Sequence, residues 1–249
     1  MRKLLYFVLF LFLTLFFLYL TFPAERFVEA ELCKRGISHG PVLKVKKFPY
    51  LKVELYELKV PDVPFKIPYL SVKPSPLIFL GKEAPIEFSG SACGGEVKGW
   101  FTYPFKGLSY HLCMLSIEEC LGDSRVGGRL SSSGTLTFSG KDLAKGIGEF
   151  SIDNLTLKNL TFGLFSTEKL TFEKVKGTYE VKRKNLIEVE AEGHGKEGQF
   201  ELKGEVNYNP TEPLSSYGSF KIRVKLETEP FNGKEFNFTV RGNLKELRF

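Results

Sequence analysis

Phe200-Glu201-Leu202-Lys203-Gly204-Glu205-Val206-Asn207-Tyr208 alternates apolar or small residues with charged or polar ones, position by position. Successive side chains of a β-strand point to opposite faces, so this stretch predicts a strand with one apolar and one wet face. The same period returns in Phe220-x-Ile222-x-Val224-x-Leu226 and in Phe236-x-Phe238-x-Val240. Asn232-Gly233 lies between those two runs, and Asn-Gly between alternating segments is a strong hairpin signal. One-sided alternation belongs to antiparallel sheets, because parallel sheets bury both faces.

Working outward, weaker versions of the pattern fill the chain from residue 41 on. Leu51-x-Val53-x-Leu55, Ile86-x-Phe88, Val97-x-Gly99, Phe150-x-Ile152 and Ile187-x-Val189-x-Ala191 all alternate. Turn residues separate them: Pro61-Asp62, Gly81-Lys82 and Pro210 to Pro213. The prolines at 61, 64, 68, 74, 76 and 85 are expected to bound short extended pieces rather than sit in central strands. Leu-Thr-Phe recurs at 136–138, 160–162 and 170–172 with irregular spacing, which reads as similar strands and not as a repeat. Two short helices are expected. Pro23 to Arg35 places Ala24, Phe27, Val28 and Leu32 on one face, with Gly36 as its stop, and is expected to cap the end of the sheet. Ser116-x-x-Glu119 is a capping box that Gly122 ends after little more than a turn.

The chain opens differently. Leu4 to Phe22 is an apolar run of 19 residues behind Arg2 and Lys3, in which Leu4, Phe7, Phe12, Phe17 and Phe22 are bulky anchor residues. As a helix it would be about 28 Å long, the thickness of a bilayer's hydrocarbon core. It ends Tyr19-Leu20-Thr21-Phe22-Pro23, without the small-x-small site of a cleaved signal, so it reads as an uncleaved single-pass anchor. The flanking cations place the N-terminus in the cytoplasm and send the rest across the membrane. The fold class expected is therefore mainly β. A transmembrane helix (1–22) and a short amphipathic helix (23–36) precede an elongated, curved antiparallel sheet domain (37–249).

Composition excludes several functions. The net charge of +6 is dispersed among acidic neighbours, and outside the cytoplasm a nucleic-acid partner is not expected. Four cysteines (Cys33, Cys93, Cys113, Cys120) would meet an oxidising compartment. Three full pairings exist; Cys113 and Cys120, seven residues apart, are candidate partners for a short local loop. No set of four metal ligands converges by spacing, so neither metal nor cofactor is expected. Gly193-His194-Gly195-Lys196-Glu197-Gly198 matches a dinucleotide fingerprint in letters, but strands flank it on both sides, so it reads as a glycine-rich hairpin turn. Gly107 to His111 lacks the closing glycine of a nucleophile elbow. His39, His111 and His194 stand in separate settings, and no acid, base and nucleophile gather; an enzyme is not expected. Asn154-Leu155-Thr156, Asn159-Leu160-Thr161 and Asn237-Phe238-Thr239 would accept glycans only in a eukaryotic secretory protein. Phe249 with Leu247 is no outer-membrane barrel ending, because Lys245 and Asn243 break the pattern.

Several stretches resemble the N component (GspN) of bacterial type II secretion systems. They are Leu20-Thr21-Phe22-Pro23, Gly36-Ile37-Ser38, Leu70-Ser71-Val72-Lys73-Pro74-Ser75-Pro76-Leu77 with Leu80-Gly81-Lys82, Gly94-Gly95-Glu96-Val97-Lys98-Gly99, and Phe200 to Gly204 leading to Pro213-Leu214-Ser215. The layout is also similar to AsmA-like envelope proteins, which resemble bridge-type lipid carriers. The first resemblance implies a non-enzymatic accessory component of type II protein secretion, held in the bacterial cell inner membrane with its bulk in the periplasm, whose partners are other secretion subunits. The second implies membrane lipid as the partner, bound in an apolar trough. Phe200, Leu202, Val206, Phe220, Ile222, Val224, Leu226, Phe236, Phe238 and Val240 are the candidate trough residues. Cys113 and Cys120 depart from the first family's pattern.

Overall fold

The computed structural model describes residues 10–11, 13–14, 17, 21–40, 43–47, 51–60, 65–162, 165–212, 215–227 and 233–243. Thirteen strands form one antiparallel sheet, curved and unclosed, in which each strand pairs only with its neighbours in the chain. In order they are β1 (Leu43–Lys46), β2 (Lys52–Leu58), β3 (Ile67–Pro74), β4 (Ala84–Ala92), β5 (Gly95–Tyr103), β6 (Gly107–Ser116) and β7 (Val126–Ser139), then β8 (Asp142–Phe162), β9 (Phe165–Arg183), β10 (Leu186–Gly195), β11 (Gly198–Asn207), β12 (Tyr217–Leu226) and β13 (Lys234–Asn243).

The quoted stretch is β11, paired residue for residue with β12, and β12 with β13. Gly195 and Gly198 pair across the two-residue turn Lys196-Glu197, so the glycine-rich motif is a hairpin turn. The Asn-Gly hairpin closes on the pair Leu226–Lys234, which makes its loop longer than two residues; Gly233 takes φ +76° there, and Asn232 lies outside the described residues. The proline expectation needs correcting. Pro68 and Pro74 lie within β3 and Pro85 within β4, both interior strands. Each sits at or next to a strand end, where a missing N–H breaks the ladder least. Pro61 and Pro64 lie outside the described residues.

Long strands keep their apolar residues on one face by means of bulges. Asn154 (φ +54°) lies where β8 carries one residue more than β7, between Asp153 opposite Arg129 and Thr156 opposite Gly127, and Ile152 and Leu155 both stay paired with Val175 and Phe172 of β9. Met114 (φ +57°) does the same in β6, so Leu112 and Leu115 meet Ser132 and Leu130 on the same side. An extra residue re-aims the side chains after it, and Asn tolerates the left-handed conformation better than most residues. Two of the three Asn-x-Thr sequences, at Asn154 and Asn159, thus mark positive-φ positions in a strand.

Helix α1 (Ala24–Lys34) follows Pro23 and stops at Gly36, φ +69°. Ala24, Val28 and Leu32 are half-buried, whereas Phe27 is exposed and meets the Phe22 ring instead, centroids 6.4 Å apart. The helix abuts the β1 edge: Glu25 Oε1 accepts from Val45 N at 3.4 Å, and Lys47 Nζ donates to the carbonyl of Phe22. Helix α2 (Ile117–Leu121) has the capping residue expected, with Ser116 Oγ accepting from Glu119 N at 3.4 Å and Gly122 in the left-handed region.

Among the described residues, no helix is long and apolar enough to cross a membrane. Leu4, Phe7 and Phe12 of the expected anchor lie outside those residues. Phe17 is helical and exposed, and Phe22 is exposed at a bend. Thr14 and Thr21 return their hydroxyls to the carbonyls of Phe10 and Phe17, each at 2.8 Å, so both hydroxyls are satisfied by the backbone four residues earlier.

The disulfide joins Cys93 to Cys120, with Cα atoms 5.2 Å apart, and not Cys113 to Cys120. Cys93 lies in the β4–β5 turn, and α2 folds over that turn because Ser116 N donates to the Cys93 carbonyl at 2.8 Å. Cys113 lies in β6 in register with Glu96 and stays free, as does the exposed Cys33.

Candidate functional site: an apolar face across the sheet

Two adjacent rows of side chains cross all thirteen strands on one face. The first runs, from β1 to β13, through Val45, Val53, Val72, Phe88, Gly99, Tyr110, Gly134, Gly148, Tyr179, Val189, Gly204, Phe220 and Val240. The second runs through Leu43, Leu55, Leu70, Gly90, Val97, Leu112, Ser132, Phe150, Gly177, Ala191, Leu202, Ile222 and Phe238. Between them, pointing the other way, runs a wholly polar row: Lys44, Glu54, Ser71, Ser89, Lys98, His111, Ser133, Glu149, Thr178, Glu190, Lys203, Lys221 and Thr239. The two-residue period thus holds across the whole sheet and not only along each strand.

Glycines on the apolar side are seats for aromatic rings. A Cβ on Gly193 would lie 2.1 Å from the Phe200 ring, on Gly177 2.2 Å from Phe150, on Gly204 2.3 Å from Phe220, and on Gly148 2.4 Å from Tyr179. Each ring lies over the neighbouring strand's bare backbone, an arrangement that supports glycine in sheets. Around β9 and β12, Leu170, Phe172, Val175, Val224 and Leu226 converge into a buried cluster, flanked by Phe200, Phe236 and Phe238. The rings of Phe172 and Phe200, two strands apart, stand edge to face at 4.7 Å. Convergence of side chains from strands this far apart marks an inward curve of the apolar face here.

All ten trough residues named from the sequence lie on this face. Phe220 and Val240 belong to the first row, and Leu202, Ile222 and Phe238 to the second. Phe200, Val224 and Phe236 form a third, with Val206 and Leu226 at the two ends. Val206, Val224 and Leu226 are buried, and the other seven are half-buried. The apolar face extends well beyond these ten, back to β1.

The two apolar rows have one polar interruption. The Tyr110 and Tyr179 hydroxyls meet at 2.7 Å above Gly134 and Gly148, and Ser132 Oγ lies 3.3 Å from Tyr110. Ser132 donates to the Glu149 carbonyl at 2.9 Å. Burial, and then the bond to Tyr110, push the Tyr179 phenol above its ordinary pKa, so it stays protonated at neutral pH. This pair spans 69 positions of sequence, and sequence reading missed it. The available signal was Gly146-x-Gly148 and Gly134 inside alternating strands, since a bare strand position invites a ring from next door.

The opposite face is charged and balanced. Its depression over β6 to β11 collects Lys174, Lys176 and Lys203 with Glu149, Glu190, Glu192 and Glu201, so the two signs nearly balance. Lys203 pairs with Glu190 at 3.2 Å and Arg223 with Glu235 at 3.1 Å. Among the described residues no cluster of His, Cys, Asp and Glu could hold a metal ion. No protein-family model, curated protein or solved structure matches this chain.

Proposed function

We propose that this chain is a membrane-anchored carrier whose apolar sheet face holds the acyl chains of membrane lipid. One observation carries this reading: two apolar rows cross every strand of the sheet, and most of their side chains are only half-buried. Soluble proteins rarely leave a continuous apolar patch of this extent without something to cover it. Acyl chains suit it because the rows lack charge. The run Leu4–Phe22 behind Arg2 and Lys3 would hold one end of the sheet beside a bacterial inner membrane, with the bulk in the periplasm. The Cys93–Cys120 bridge fits that oxidising compartment.

The test places a photo-crosslinking residue at Leu202 or, one position on, at Lys203, in cells grown with radiolabelled phosphate. A phospholipid adduct is expected from position 202 and not from 203. No adduct from 202, or equal adducts from both, sinks the carrier reading.

A second reading makes the chain an accessory component of a type II secretion system. The unequal edges of the sheet favour it. β1 is short, lysine-flanked and touched by α1, whereas β13 is a ten-residue alternating edge with no strand beyond it among the described residues. Such an edge accepts an extended segment by strand addition. Crosslinkers along β13 that never capture a secretion subunit in cells would remove this reading.

A further inference from the structure

The polar interruption sits where a carrier of pure hydrocarbon would have none. Of the side chains in the two rows that cross the sheet, only those of Tyr110, Tyr179 and Ser132 bring oxygen, and these three lie together. Their protons can be counted. Ser132 gives its proton to the Glu149 carbonyl at 2.9 Å. One phenol donates to the other at 2.7 Å. The proton of the second phenol then has either no protein acceptor or the Ser132 oxygen at 3.3 Å, beyond the ordinary range for two hydroxyls. With Tyr110 donating to Tyr179, the Tyr179 O–H is left over on the apolar face; with Tyr179 donating to Tyr110, the Tyr110 O–H has only that long contact to Ser132.

Water can accept that proton while the face is bare. Acyl chains laid across it displace the water and would leave the donor orphaned, which is unfavourable unless the ligand brings its own oxygen. A fixed cation is lacking among these three residues, so the oxygen need not be anionic. Resting on the carrier reading, we infer that the Tyr110–Tyr179 pair is a binding subsite for an acyl ester carbonyl, with the lipid's hydrocarbon lying on the apolar rows to either side. The carrier would therefore prefer ester lipids to hydrocarbon of equal length and hold them in a fixed register across β6 to β9.

Two probes test this on the full chain: a pyrene-labelled fatty-acid methyl ester and a pyrene-labelled alkane of the same length. The wild type is expected to favour the ester by about three- to tenfold, the range of one neutral hydrogen bond. Either single variant, Tyr110→Phe or Tyr179→Phe, still has one spare phenolic proton and is expected to keep the preference. The double variant has none and is expected to bind both probes alike. Binding of neither probe by wild type defeats the carrier reading itself. Binding of both without preference leaves the carrier and defeats the subsite, as does a folded double variant that still prefers the ester. If the double variant does not fold, the infrared carbonyl band of the ester bound to wild type decides. A shift to lower wavenumber, as hydrogen bonding requires, is expected, and an unshifted band overturns the proposal.

Discussion

The β2–β6 end of the sheet and the β10–β13 end are built from the same repeat and held in different ways. At the β10–β13 end, ten-residue strands pair without a break in register, and their outward sides carry exposed charges such as Glu190, Lys203 and Arg223. At the β2–β6 end, both faces are partly covered. Glu54 and Ser71 of the polar row are buried, β6 is bulged at Met114, and a disulfide ties α2 to the β4–β5 turn. One end is stabilised by side chains converging on an inward curve, the other by a covalent clip and local caps.

The largest effect that would sharpen this contrast is at Phe172, which is 1% exposed at the centre of the β9–β12 cluster. Phe172→Ala is expected to cost about 4 kcal/mol, the range for emptying an aromatic site. Hydrogen exchange should rise across β9 to β13 while β4 to β6 stay protected; a uniform rise would mean the two ends share one core. Next, Cys120→Ser opens a bridge that closes a 27-residue separation, and a loss of about 3 kcal/mol is expected. Its exchange pattern should be the reverse, confined to β4, β5 and α2. Ser116→Ala removes the cap of α2 and should cost about 1 kcal/mol, measured as a shift in denaturation midpoint. With Cys120 already replaced, that cost should shrink, because the helix would no longer be held in place.

The smallest effect is acid-dependent and local. Hydrogen bonds from the Arg125 side chain and backbone hold Asp123 down to about 2. A depressed carboxylate stabilises above its unfolded pKa and ceases to do so as the pH falls through the folded one. The turn before β7 should thus stay ordered to about pH 4 and loosen between there and about pH 2, read from the Asp123 carboxyl resonance. A titration midpoint at the ordinary value would show the Arg125 contact to be absent in solution.

How much of this was legible in the sequence differs between the same two ends. The strands β11 to β13 could be read because each alternates for most of its length and pairs with a neighbour that does the same. The cap at Ser116 and the turn at Lys196-Glu197 were legible for a similar reason, since both are decided within four residues. The cysteine pairing was not. Spacing favoured Cys113 with Cys120, but the fold of α2 over the β4–β5 turn sets which sulfurs meet. The Tyr110–Tyr179 pair depends on four strands arriving in register, and no local pattern carries that. Pro68 and Pro85 misled because position within a strand matters as well as presence. Phe27 had the right spacing for the buried face of α1, yet its ring turns to Phe22.

A sheet in which every strand pairs with its predecessor in the chain has a further property: it is a ruler. Neighbouring strands lie about 4.8 Å apart, so the contour across thirteen strands is about 58 Å, and each added or deleted hairpin changes it by about 10 Å. Such an edit would leave every other strand pair as it was, as in repeat arrays whose units touch only their neighbours. The reach of the molecule can therefore change through duplication or loss of short segments, without redesign of a core. Growth can also follow synthesis, because each new strand finds its template already laid down by the one before it.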